Sequence, residues 1–151
     1  MAVTEPAVVV QKAYDWSLWI VPKVEKFPKS YRFSIGQSLV TASTELLLNL
    51  VDATFEQHAQ VVAAEPRLNG WVPPMFGAAP GVPCAYQARN AGSLAAAVRE
   101  VNRVRYLARL AKDLHAITVE NHEFAAKAMD EIGRMTGGWL KSTRQRHETP
   151  A

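Results

Sequence analysis

The chain has 151 residues, 48% hydrophobic and 21% charged, which suits one domain with one core and excludes wholesale disorder. Its 17 Lys+Arg against 14 Asp+Glu leave a formal net charge of +3, a mild bias whose meaning depends on whether the basic residues cluster. The single cysteine, Cys84, excludes an internal disulfide framework and fits a reducing, cytoplasmic compartment.

No secretory leader is visible at the start, and no run approaches the roughly 20 apolar residues of a membrane span. The first helix is predicted over residues 4–26. Ala13, Ile20, Val24 and Phe27 recur at helical spacing, and so do Tyr14, Leu18 and Val21 on a second side. Pro22 should kink or tighten its last turns, and Pro28 should end it, because the residue before a proline is pushed out of helical angles.

The second helix should begin between Pro28 and Ser34 and run to Ala64. Ile35, Leu39, Ala42, Leu46, Asn49 or Leu50, and Ala53 form a heptad-like stripe, which Leu47, Leu48, Val51 and Phe55 widen. Residues 65–93 then hold five prolines and four glycines, a density that predicts a Pro/Gly-rich insertion rather than a helix. Its Trp71, Val72, Met75, Phe76 and Tyr86 are not linker residues. Trp71, Met75 and Phe76 are the expected partner contacts of this segment.

The third helix is predicted over 93–117, capped by Ser93, with a first stripe of Leu94, Val98, Val101, Val104, Ala108 and Ala111. Leu107, Leu110, Leu114 and Ile117 make a second. A short turn with Thr118 as cap leads to a fourth helix carrying Phe124, Ala128, Ile132, Met135 and Trp139, weakened near its end by Gly137–Gly138. The economical architecture is all-α: an antiparallel four-helix bundle with the insertion between helices 2 and 3.

Catalytic chemistry finds little footing. Cys84 has no histidine near it in sequence, and no P-loop, dinucleotide fingerprint or G-x-S-x-G occurs. His58, His115, His122 and His147 offer no i, i+4 pair for zinc, and Glu120, His122 and Glu123 miss the Glu-x-x-His spacing of di-iron bundles. The reading is therefore a binder or scaffold without catalysis, metal or cofactor.

Basic residues form three groups. At 100° per residue, Arg105, Arg109 and Lys112 fall within about 60° of one another, with Arg99 and Arg103 on a different side. A solvated face explains such a pattern, but arginine in excess of lysine favours bidentate grip on phosphate or carboxylate. Lys23, Lys26, Lys29 and Arg32 surround the first turn, interleaved with Tyr31 and Phe33. Those aromatics fit base stacking, whereas Phe27 and Phe33 also fit core staples across the turn. Lys141, Arg144 and Arg146 mark the tail.

Four stretches together resemble one known group. They are Lys12-Ala-Tyr-Asp-Trp-Ser-Leu-Trp-Ile20, Lys26-Phe-Pro-Lys-Ser-Tyr-Arg-Phe33, Val104-Arg-Tyr-Leu-Ala-Arg-Leu-Ala-Lys-Asp-Leu114 and Asp130-Glu-Ile-Gly-Arg-Met-Thr-Gly-Gly-Trp-Leu-Lys-Ser142. They look like the accessory proteins (Avd) of diversity-generating retroelements, within a four-helix-bundle family related to the rRNA intervening-sequence proteins. The resemblance implies a non-catalytic homopentamer that binds the reverse transcriptase of its retroelement together with template-repeat RNA and cDNA, and so supports mutagenic retrohoming. On that view Arg105, Arg109 and Lys112 are the foremost contacts, with Arg99, Arg103, Lys29, Arg32, Arg134 and Lys141 beside them. The long insertion departs from the shorter link usual in such relatives. The competing expectation is a bundle of the same architecture that binds an unrelated RNA or protein.

Overall fold

A computed structural model describes the backbone of residues 5–64 and 84–148 and the side chains of residues 8–55 and 92–145. Every regular element among them is helical. We label the long helices α1 (Glu5–Glu25), α2 (Gln37–Ala64), α3 (Cys84–Asp113) and α4 (Val119–Glu148). They form a four-helix bundle in which α1 packs on α2 and α4, and α3 packs on α2 and α4. Among the described residues the α1–α3 and α2–α4 pairs make no close contact, so each helix packs on two others around a common core.

Each helix supplies one stripe to that core. Val9, Ala13, Trp16, Ile20, Val24 and Phe27 come from α1 and the turn after it, and Leu39, Ala42, Leu46, Leu50 and Ala53 from α2. Leu94, Ala97, Val101, Val104, Ala108 and Ala111 come from α3, and Ala125, Met129, Ile132 and Trp139 from α4. The steps are of three or four residues, with Thr136 filling the interval between Ile132 and Trp139, as a bundle seam requires. Full burial of one Leu, Ile or Phe side chain contributes about 1.5–3 kcal/mol, so these stripes supply the main driving force. The seam of α4 differs from the expected one: Ala125, Met129 and Thr136 are buried, whereas Phe124 is exposed and Ala128 and Met135 are only half-buried. Phe124 sits instead on the α1–α4 seam, its ring 4.6 Å from that of Trp19. The second apolar side of α1, Tyr14, Leu18 and Val21, is exposed.

The α1–α2 corner shows why its residues are needed. Pro22 lies inside α1, and the chain tightens just after it: the Lys26 and Phe27 amides donate to the Lys23 and Val24 carbonyls, at 3.1 and 3.0 Å. A short helical turn, Lys29–Tyr31, follows Pro28, and a π-helical turn, Arg32–Gly36, leads into α2. A Cβ on Gly36 would stand 2.7 Å from Cγ1 of Val24 and 3.4 Å from Phe27, so only glycine lets the two helices close this tightly. Phe27 is the buried staple that was expected, but Phe33 is not: it is 82% exposed. Across the middle of the same seam, Trp16 Nε1 donates to Ser43 Oγ at 2.9 Å, which donates on to the Leu39 carbonyl at 2.7 Å. This relay satisfies two buried polar groups at once.

Two expectations for the third helix are corrected. It starts at Cys84 rather than Ser93, so residues 84–93 belong to a helix and not to the insertion. Ala85, Ala88 and Ala91 are strong helix formers, no proline lies between Cys84 and Asp113, and Gly92 alone costs about 1 kcal/mol. The helix ends at Asp113, not Ile117. Residues 65–83, including Trp71, Met75 and Phe76, lie outside the described residues. Gly137 and Gly138 do not end α4, which continues to Glu148.

The α3–α4 connection is a Schellman turn. The Ala116 amide donates to the Ala111 carbonyl at 2.8 Å, and the His115 amide to Lys112 at 2.9 Å. His115 occupies the left-handed position with φ 56°. Thr118 then caps α4, its Oγ1 accepting from the Asn121 amide at 3.2 Å, as its place in the sequence suggested. No described helix is long and apolar enough to cross a membrane. Because His115 holds a conformation that costs an L-residue roughly 1–2 kcal/mol, His115→Gly is expected to raise unfolding free energy by about 1 kcal/mol in urea titration.

Candidate nucleic-acid interface

The expected patch on α3 divides when the helices are assembled. Arg105 stands at the edge that faces α4. Its Nη2 donates to Asp130 Oδ1 at 2.8 Å and to the Met129 carbonyl at 3.2 Å, while Nη1 donates to Asn102 Oδ1 at 3.2 Å. Gly133 makes room for it: a Cβ there would lie 2.9 Å from Arg105 Nη2 and 3.2 Å from Val101 Cγ1. Arg105 is therefore a cross-helix pin, committed to groups within the molecule. Lys112 pairs with its neighbour Asp113 at 3.2 Å. Arg109 is exposed, with no hydrogen bond or ion pair among the described residues.

Two further α3 arginines, Arg103 and Arg99, point toward α2. Arg103 donates to Glu100 at 2.9 Å and lies 3.9 Å from Glu45, so it neutralises a carboxylate that is itself buried. Arg99 is exposed and has no anionic partner among the described residues. The solvent-facing side of α3 therefore gathers Arg99, Arg103, Tyr106 and Arg109, a different set from the cluster the helical angles alone suggested.

A cleaner basic surface lies on α4. Between Glu131 and Glu148 the sequence has no acidic residue, while Arg134, Lys141, Arg144 and Arg146 fall there. Arg134, Lys141 and Arg144 are exposed and make no ion pair among the described residues. Arg134, Gly138 and Lys141 share one stripe at 100° per residue. At Gly137 and Gly138 an added Cβ would meet nothing within 4 Å, so the helix backbone between the cations is open from outside. Among the described residues no contact accounts for these two glycines, in contrast to Gly36 and Gly133.

The group at the first turn is smaller than expected. Lys29 is exposed, but Arg32 is half-buried and its Nη2 donates to the Phe27 carbonyl at 3.3 Å, closing the corner. Lys23 lies over the ring of Trp19 at 5.3 Å. Phe33 remains exposed between them. On the opposite side, the i, i+4, i+7 set Tyr14, Leu18 and Val21 forms an apolar outer stripe on α1.

Sequence reasoning missed Tyr106. It is 74% exposed and lines a groove of about 710 Å³ between α2 and α3 with Gln37, Ser38, Thr41, Ala42, Glu45, Arg99, Asn102, Arg103 and Leu107. The signal was its position, three residues from both Arg103 and Arg109 and opposite the buried stripe of α3. Among the described residues no group of three or more His, Cys, Asp or Glu is placed to hold a metal ion.

No protein-family model matches the chain, and no curated protein matches it. Among solved structures, the chain is similar to a protein of unknown function from the S23 ribosomal protein family of Bacteroides thetaiotaomicron VPI-5482. The TM-score is 0.64 at 18% identity, over 91% of this chain and 98% of that one. Likeness at this identity concerns the fold, a small helical bundle that both chains share over nearly their whole length.

Proposed function

We propose that this protein is a non-catalytic, RNA-binding accessory subunit of a diversity-generating retroelement, built as an antiparallel four-helix bundle. The antiparallel order is supported by contact pairs that recede along the chain, Lys12 with Glu131 and Trp19 with Phe124. The observation that carries the binding function is the outer face of α4, where Arg134, Lys141 and Arg144 stand exposed without a carboxylate partner among the described residues. Exposed, unpaired cations attract phosphate by releasing its counterions, without reading sequence. The retroelement assignment rests on the resemblance of the four sequence stretches. The partners it brings are the reverse transcriptase, template-repeat RNA and cDNA.

A homopentamer belongs to the same reading. Repeating a weak basic face several times around a ring adds affinity through multivalency. The apolar stripe Tyr14, Leu18 and Val21 supports a contact between copies or with the transcriptase, since paired helices bury such i, i+4, i+7 sets. The competing reading, a bundle with an unrelated RNA or protein partner, shares the basic face but not the transcriptase. Co-purification of the tagged protein with a reverse transcriptase encoded beside it, at two salt concentrations, separates the two. A salt-sensitive complex supports the accessory subunit, and no complex at either salt favours the unrelated partner.

Three further outcomes are expected. Replacing Arg134, Lys141 and Arg144 together by alanine should leave helicity intact, weaken RNA binding, and reduce the slope of log affinity against log salt by about 2, near 0.7 per lost phosphate contact on a single strand. Arg105→Ala should behave oppositely, lowering stability by about 1 kcal/mol through the lost cross-helix bonds while changing RNA affinity less than about twofold. If the α1 stripe is the contact between copies, Leu18→Glu should shift the sedimentation coefficient from that of an oligomer to that of a monomer, with the circular dichroism spectrum unchanged.

A further inference from the structure

The α2–α3 groove differs from the α4 face in chemistry. Its charges are mostly balanced within the molecule, because Arg103 spans Glu100 and Glu45. What it offers outward is an exposed phenol ring, Tyr106, one guanidinium without an anionic partner among the described residues, Arg99, and neutral donors and acceptors on Gln37, Ser38, Thr41 and Asn102. Ala42 and Leu107 add apolar lining. A second exposed ring, Phe33, stands four residues before Gln37. A dense polyanion finds little net charge here. A flat, neutral, hydrogen-bonding group attached to a single phosphate fits every part of this lining.

We propose that this groove is a base-stacking subsite for single-stranded nucleic acid. An unpaired base lies against Tyr106, Arg99 takes the adjoining phosphate, and Asn102, Gln37 and Ser38 meet the base edge. Every base has a π-face, so the subsite tolerates sequence, while a paired base in a duplex cannot enter. The inference rests on the reading of the bundle as an RNA-binding subunit and adds strand selectivity to it. The α4 face holds phosphates of any strand, and the groove selects those whose bases are unpaired.

The test is fluorescence anisotropy of the full chain with a labelled oligouridylate and, separately, a labelled RNA duplex. Tyr106→Ala is expected to weaken oligouridylate binding by roughly five- to a hundredfold, the span of one base–aromatic stack. It should leave duplex binding and the salt slope unchanged, since no phosphate contact is lost. Tyr106→Phe should bind like the parent, because the ring and not the hydroxyl carries the stack. Arg99→Ala should reduce the salt slope by about 0.7. Tyr106 is solvent-exposed, so these variants fold, and circular dichroism verifies it. If the parent binds oligouridylate and Tyr106→Ala binds it equally well, the subsite is wrong while the RNA-binding reading stands. If the parent binds neither probe, both fall. Equal loss of single-strand and duplex binding in Tyr106→Ala would also overturn the stacking role.

Discussion

Among the described residues each of the four helices buries a single stripe and packs on two neighbours, and the other features of the molecule follow from that constraint. A ring of four helices closes its core with steps of three or four residues. The stripe consumes roughly one face of each helix. The opposite face is left to solvent, and there the chain can carry arginine, tyrosine or exposed glycine without disturbing the core. The side positions between them are where neighbouring helices meet, and there the charges are spent on one another: Lys12 on Glu131, Arg105 on Asp130, Arg103 on Glu45.

This division explains which cations are free to bind. A guanidinium at a seam finds a carboxylate or carbonyl on the next helix and becomes a structural clamp. The same group on a stretch where the next helix offers no such partner faces water. Arg105 and Arg109 are four residues apart, yet the first holds α4 and the second holds nothing among the described residues. On α4 no acidic residue falls between Glu131 and Glu148, and Arg134, Lys141 and Arg144 make no ion pair among the described residues. Isolated exposed pairs of the Arg105–Asp130 kind contribute little stability, about 0–1 kcal/mol. What such pairing does here is to fix which positive charges are removed from the surface.

The glycines sort in the same way. Gly36 stands where a methyl group would collide with Val24 of the neighbouring helix, and Gly133 where one would press on the pinned Arg105 side chain, so both face contacts inside the bundle. Gly137 and Gly138 face open space, at about 1 kcal/mol of helix propensity each. A conformational cost without an internal contact to offset it draws attention to the outer surface of α4, where the unpaired cations also lie.

Local sequence determined the four helices and most of their core stripes through hydrophobic periodicity, the break at Pro28 through proline sterics and the cap at Thr118 through its hydroxyl, because each depends on residues within a turn or two of one another. Its errors were also local. A high count of glycine and proline over 65–93 hid a helix start at Cys84, and a stripe on α4 was placed one residue early because Phe124 is larger than Ala125. The pairing of charges across seams, the exposure of Phe33, and the groove between α2 and α3 that Tyr106 lines were decided only by tertiary structure. They depend on which face of one helix meets which face of another. A period of 3.6 residues states that an exposed face exists, but not which residue of a distant helix borders it.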